Sequence, residues 1–141
     1  DEARNLATLV ANAAPDPGRV VLGLSELMLN AIEHGNLGIG YDEKTRLLEA
    51  GCLQDEIARL LTQAPFSGRR AVLEIERTAD SLSFLIRDEG QGFDWNGYLE
   101  MSPDRAFDTH GRGIAMSRMI SFDALEYRGR GNEVCAVIRL A

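Results

Sequence analysis

Glu26, Asn30, Glu33 and His34 are the chemically capable side chains of an otherwise apolar stretch, ELMLNAIEHGN, residues 26–36. At about 100° per residue, Asn30 lies roughly 40° round from Glu26 and His34 roughly 40° further, with Glu33 just to the other side. The four share one narrow stripe, while Leu27, Met28, Leu29, Ala31 and Ile32 fill the rest of the circumference. A surface helix has the reverse proportions, a narrow apolar stripe and a broad polar face. The pattern predicts a helix buried around most of its girth. Its polar slot faces a ligand, a solvated edge or a satisfied polar network.

Two glycine-rich stretches add to this inventory. RDEGQGFDW (87–95) falls where a strand ends, so Asp88, Gly90 and Gly92 combine a hydrogen-bond acceptor with backbone free of Cβ atoms. THGRGIAMSRMI (109–120) falls where a helix begins, so N–H groups near Gly111 and Gly113 face the positive end of a helix dipole. Taken singly, the first also reads as a turn and the second as a cap. No G-x-x-x-x-G-K-[ST] occurs, which excludes a P-loop. Gly-Arg-Gly-Ile-Ala-Met lacks the third glycine of a dinucleotide fingerprint.

These groups need elements to hold them. Residues 3–13 have helical periodicity, broken by Pro15-Asp16-Pro17-Gly18. Asp16 before Pro17 suits an N-cap with proline in the first helical position, and the second helix then runs to about His34, closed by Gly35 and Asn36. Residues 42–63 read as one or two helices, with Asp42 as cap and Gly51 as break, and PFSG (65–68) as a loop. The period then changes to two: 71–78 and 81–88 alternate as strands about a tight Ala79-Asp80 turn. An irregular stretch from Glu89 to Gly111 precedes a short helix at 114–120. FDALEYRG and NEVCAVIRL form a closing hairpin turning at Arg130-Gly131. Helices first and antiparallel strands later predict an α+β two-layer sandwich, with helices on one face of the sheet.

Composition bounds the function. At 141 residues, 45% apolar and 26% charged, the chain is one ordinary globular domain. A net charge of −7 and a pI near 4.8 argue against a nucleic-acid or anionic-membrane surface. A phosphate-bearing ligand would then need local devices: a metal, backbone N–H groups or a few placed arginines. No apolar stretch approaches membrane-spanning length and no signal peptide is visible. Cys52 and Cys135 fit no metal or redox spacing, and reduced thiols are the expectation, compatible with a cytoplasmic location.

The succession Glu26-x-x-x-Asn30 on a helix, Asp88-x-Gly90-x-Gly92, Gly111-x-Gly113 and a closing hairpin resembles the GHKL (Bergerat-fold) ATPase superfamily. Within it, the sequence NAIEHGN looks most like the anti-sigma-factor serine kinases of bacteria. The resemblance spans the chain and implies ATP and Mg²⁺ as cofactors on a mostly antiparallel mixed sheet. Asp88 would accept the adenine amine, with Gly90 and Gly92 letting backbone approach the base. Asn30 would ligate magnesium, and Gly111, Arg112 and Gly113 would hold phosphate. Glu26 would be the general base for an attacking hydroxyl. His34 would contact phosphate or cap the helix end. Residues 93–110, with Trp95 and His110, fit a nucleotide-covering lid.

The implied partner is an anti-sigma-factor antagonist of the STAS type, with a sigma or anti-sigma factor as a second, and relatives often form homodimers. A nucleotide-gated adaptor without phosphotransfer is the alternative, although Glu26 favours catalysis because a pure binder needs no base. Three features depart from the family pattern. Asn132 follows Gly131 where relatives place Thr, so its contact near the base differs. Residues 37–68 are a longer helical insertion than compact relatives carry, and GNLGIGYDEKTRLLEAG resembles variants fused behind receiver and phosphatase domains. The strand that usually precedes the first helix is absent, predicting an incomplete sheet edge.

Overall fold

The computed structural model describes residues 2–92, 115 and 117–140. Two helices open the chain, α1 (Glu2–Ala11) and α2 (Pro17–Asn30). Asp16 caps α2, its carboxylate accepting the Arg19 N–H at 3.4 Å with Pro17 just inside the helix, as the sequence predicts. Ala3, Ala7 and Ala11 form the buried stripe of α1, and Val20, Leu24, Leu27 and Met28 the buried face of α2.

Four strands make one sheet: β1 (Val72–Arg77), β2 (Ser81–Arg87), β3 (Ala124–Arg128) and β4 (Glu133–Arg139). Their order is β1-β2-β4-β3 and every pairing is antiparallel. Side chains alternate across a strand, so Leu82, Phe84 and Ile86 of β2 and Val134, Ala136 and Ile138 of β4 share the buried face. They meet α1 and α2 in one core, the two-layer α+β arrangement expected. Phe84 and Phe122 pack with ring centroids 6.3 Å apart and tilted by 56°. At Gly23 a Cβ would come within 2.4 Å of Ser121 Cβ, so glycine is what lets α2 lie against the segment Ser117–Ser121.

Residues 37–68 build a smaller unit, with α3 (Tyr41–Glu49) and α4 (Leu53–Leu61). Leu37, Ile39, Leu53 and Leu60 are its buried residues, joined by partly buried Leu47, Ile57 and Phe66. Gly51 breaks the two helices at φ 70°, as the sequence implies.

Four local expectations change. The cap of α3 is Gly40, not Asp42; Asp42 and Glu43 lie in the first turn instead, where the dipole favours them. The second helix does not run regularly to His34: α2 ends at Asn30 and a π-helical turn, Ala31–Asn36, continues it, with Leu37 N–H bonded to Ile32 O at 2.9 Å. The short helix near 114–120 is π-helical over Ser117–Ser121, its last N–H bond running from Phe122 to Ser117 O. The hairpin turn is broader than Arg130-Gly131, with both Gly129 and Gly131 at positive φ. Among the described residues no helix is long and apolar enough to cross a membrane.

Candidate functional site

The π-helical turn is the device that builds the site. Widening the helix by one residue pushes Gly35 toward the end of β2, where a Cβ on it would lie 2.3 Å from Asp88 Cγ. Gly90 closes the same contact from the other side, since its Cβ would lie 2.0 Å from the Gly35 carbonyl oxygen. No side chain fits at either position without the backbones parting. Asn36 ties the ends together: its Oδ1 accepts Glu89 N–H at 2.7 Å, and its carbonyl accepts Arg69 Nη1 at 2.7 Å. Asp88 donates its own N–H to Asn132 O at 2.9 Å, and its carboxylate accepts Gly90 N–H at 2.9 Å. Asp88 is therefore fixed by the π-helical turn after α2, by β2 and by the closing hairpin together.

In front of this clasp is a cavity of about 600 Å³. Glu26, Asn30 and His34 line it together with Asp88, Gly92 and Asn132. Residues more than a hundred positions apart thus converge on one space. Leu27, Ala31, Ile86, Tyr127 and Val134 give it an apolar floor, the mix of apolar wall and few placed polar groups typical of a small-molecule site. Burial pushes the Asp88 carboxyl above its ordinary range, opposed by the Gly90 N–H and by the charge of Arg69. Burial also pushes the Tyr127 phenol up, and the Asp88 charge adds to this.

Two predicted members behave differently. Gly90 does not line the cavity; it serves the protein's own packing behind Asp88. Gly92 does line it, but its missing Cβ makes room for the Arg130 carbonyl, 2.0 Å from where the Cβ would be. Gly111, Arg112 and Gly113 and the predicted lid, 93–110, lie outside the described residues. Glu33 leaves the polar stripe altogether. It is 5% exposed, and Lys44 Nζ of α3 lies 2.7 Å from its Oε1, an ionic contact off the direction of a proper hydrogen bond. His34 Nδ1 contacts the Ile39 carbonyl, which only accepts, so this nitrogen carries the proton.

Sequence reasoning missed several wall residues. Lys44 comes from α3, Phe66 and Arg69 from the segment between α4 and β1, and Tyr127 from β3. Arg69 stacks over the Phe66 ring at 5.2 Å. Tyr127 could have been found by strand alternation; the other three carry no local signal.

The geometry fits an adenine nucleotide. A largely apolar slot with a half-buried carboxylate acceptor, Asp88, suits a flat base bearing an amine. Among the described residues no three His, Cys, Asp or Glu side chains cluster to hold a metal. Magnesium held with phosphates commonly takes one or two protein ligands and keeps several waters, and the Asn30 amide oxygen is suited to be one of them. A family model described as the histidine kinase-like ATPase domain matches residues 2–138. The chain belongs to that family, a class that binds ATP, and membership supports ATP-dependent phosphotransfer or hydrolysis. No curated protein and no solved structure matches the chain.

Proposed function

We propose that the domain is an ATP- and magnesium-dependent protein serine kinase of the anti-sigma type, acting on a STAS-type anti-sigma-factor antagonist. The observation that carries this reading is the placement of Glu26 and Asn30 one turn apart on α2, both lining the cavity that Asp88 closes. ATP binding alone would use Asp88 and Asn30. A further carboxylate lining the slot, Glu26, adds a group able to take a proton.

In this reading Asp88 accepts the adenine amine, and Ile86, Val134 and Leu27 exclude water from the base. Asn30 offers its amide oxygen to magnesium, which when bound offsets phosphate charge. A serine hydroxyl of the partner approaches the γ-phosphorus. Its oxygen forms the new P–O bond as the bond to the bridging oxygen of ADP breaks, and its proton passes to Glu26. ADP leaves with the electron pair.

The test is transfer from γ-labelled ATP to soluble extract or to a purified STAS-type protein, beside Glu26→Ala. Label on a small protein with the unsubstituted chain alone supports the kinase. No label while Mg-ATP binds makes the domain a nucleotide-gated adaptor.

A further inference from the structure

The carboxylates that line the cavity are Glu26, Asp88 and Glu133, while Lys44 and Arg69 line it from outside the recognisable motifs. Lys44 faces the buried Glu33. Arg69 is placed differently, between α4 and β1, with its guanidinium anchored twice: on the Phe66 ring and on the Asn36 carbonyl. Asn36 is the residue that also holds Glu89 N–H, next to Asp88. The following residue, Arg70, donates its N–H to Glu89 Oε1 at 3.0 Å. The entry to β1 is therefore tied at two points to the clasp that holds Asp88.

We propose that Arg69 is a positioning residue for base recognition, fixing the place and the charge of Asp88 at the back of the cavity. The idea rests on the nucleotide reading above and deepens it: the helical insertion, through Arg69, becomes part of adenine recognition. Asp88 is taken from water by the floor of the cavity, and desolvation disfavours a charged carboxylate. A nearby guanidinium is the natural counterweight, and it is always protonated. The groups around Asp88 from other elements do not replace it. Tyr127 of β3 is a phenol pushed up by burial, Glu133 of β4 is acidic, Glu89 turns to Arg70, and Gly90 provides one neutral donor. His34 lines the same cavity, so any test has to hold it constant.

Two variants separate charge from packing. Arg69→Gln keeps an N–H donor for the Asn36 carbonyl and loses the charge; Arg69→Lys keeps the charge. Calorimetric titration with ADP and magnesium from pH 5 to 8 gives affinity profiles in which His34 and the ADP phosphates are common to all. For Arg69→Gln the acid-side loss of affinity should begin about one pH unit higher than in the unsubstituted chain, the scale of removing one opposite charge. At the affected pH this is roughly a tenfold weakening. Arg69→Lys should keep the acid limb where it was. Identical profiles for Gln and Lys, or a Gln profile matching the unsubstituted chain, would overturn the proposal and leave the nucleotide reading standing. An unsubstituted chain that does not bind ADP would overturn both.

Discussion

The two walls of the cavity are built by different means. One wall comes from α2, its π-helical turn and the ends of β2 and β4, and carries Glu26, Asn30, His34, Asp88 and Asn132. It stands on the main core, where Leu24, Leu27, Phe84 and Ile86 are almost wholly buried. The other comes from residues 37–70 and carries Lys44, Phe66 and Arg69 on a small core of its own. The first holds groups suited to chemistry on a rigid layer. The second supplies cations that counter the charge of the first: Lys44 against Glu33, Arg69 near Asp88. In an acidic chain of an ATP-binding family, these counter-charges come from residues 37–70 and the groups suited to chemistry from α2 and the strand ends.

Breaking the second wall should cost most in stability. Lys44→Met leaves Glu33 buried without its cation and should destabilise the chain by about 3–5 kcal/mol, read from denaturant melts. Adding Glu33→Gln should recover a substantial part, because no charge is then stranded; no recovery would mean that the pair is not the reason. Breaking the first wall should instead strike chemistry. Glu26→Ala should slow phosphotransfer by at least about 10²-fold while Mg-ATP affinity stays near normal; lost affinity would make Glu26 a binding or structural group. Asp88→Asn places an amide donor toward the adenine amine and should weaken ATP by about 1.5–3 kcal/mol, measured by titration.

The seam between the walls gives the last prediction. Gly90→Ala forces a Cβ onto the Gly35 carbonyl, an overpacking that should cost about 1–3 kcal/mol of stability and weaken ATP through displaced Asp88. Equal melting of variant and parent would show that the two backbones can part easily. Acidity should act on the same seam. Burial raises the Asp88 pKa, so the charged acceptor, and ATP affinity with it, is lost at a higher pH on acidification than for an ordinary aspartate.

Much of the first wall was legible in the sequence because its signals are local. A polar stripe on an apolar helix, an acidic residue at a strand end and alternation of period two each need only a short window and single out Glu26, Asn30 and Asp88. That the three share a site is implied by the family resemblance of the motif order, and in the structure all three line one cavity. The same windows misjudged Glu33 and Gly90. Helical geometry put Glu33 on the stripe, but the wider turn and Lys44 draw it aside. Gly90 was read as room for a base, yet the space is filled by the Gly35 backbone, a contact 55 residues away in sequence that no local pattern reports. Arg69 and Phe66 were invisible for the same reason: their roles exist only through Asn36 and Asp88, brought near by the fold.

The most direct measurement is a pair of calorimetric titrations of the unsubstituted chain, Mg-ATP in one and Mg-GTP in the other. A half-buried carboxylate that accepts an exocyclic amine should bind ATP and reject GTP, whose carbonyl in the corresponding position repels it, by about 10²-fold or more. Equal affinity for the two, or none for ATP, would contradict the assignment of Asp88 and of the cavity it closes.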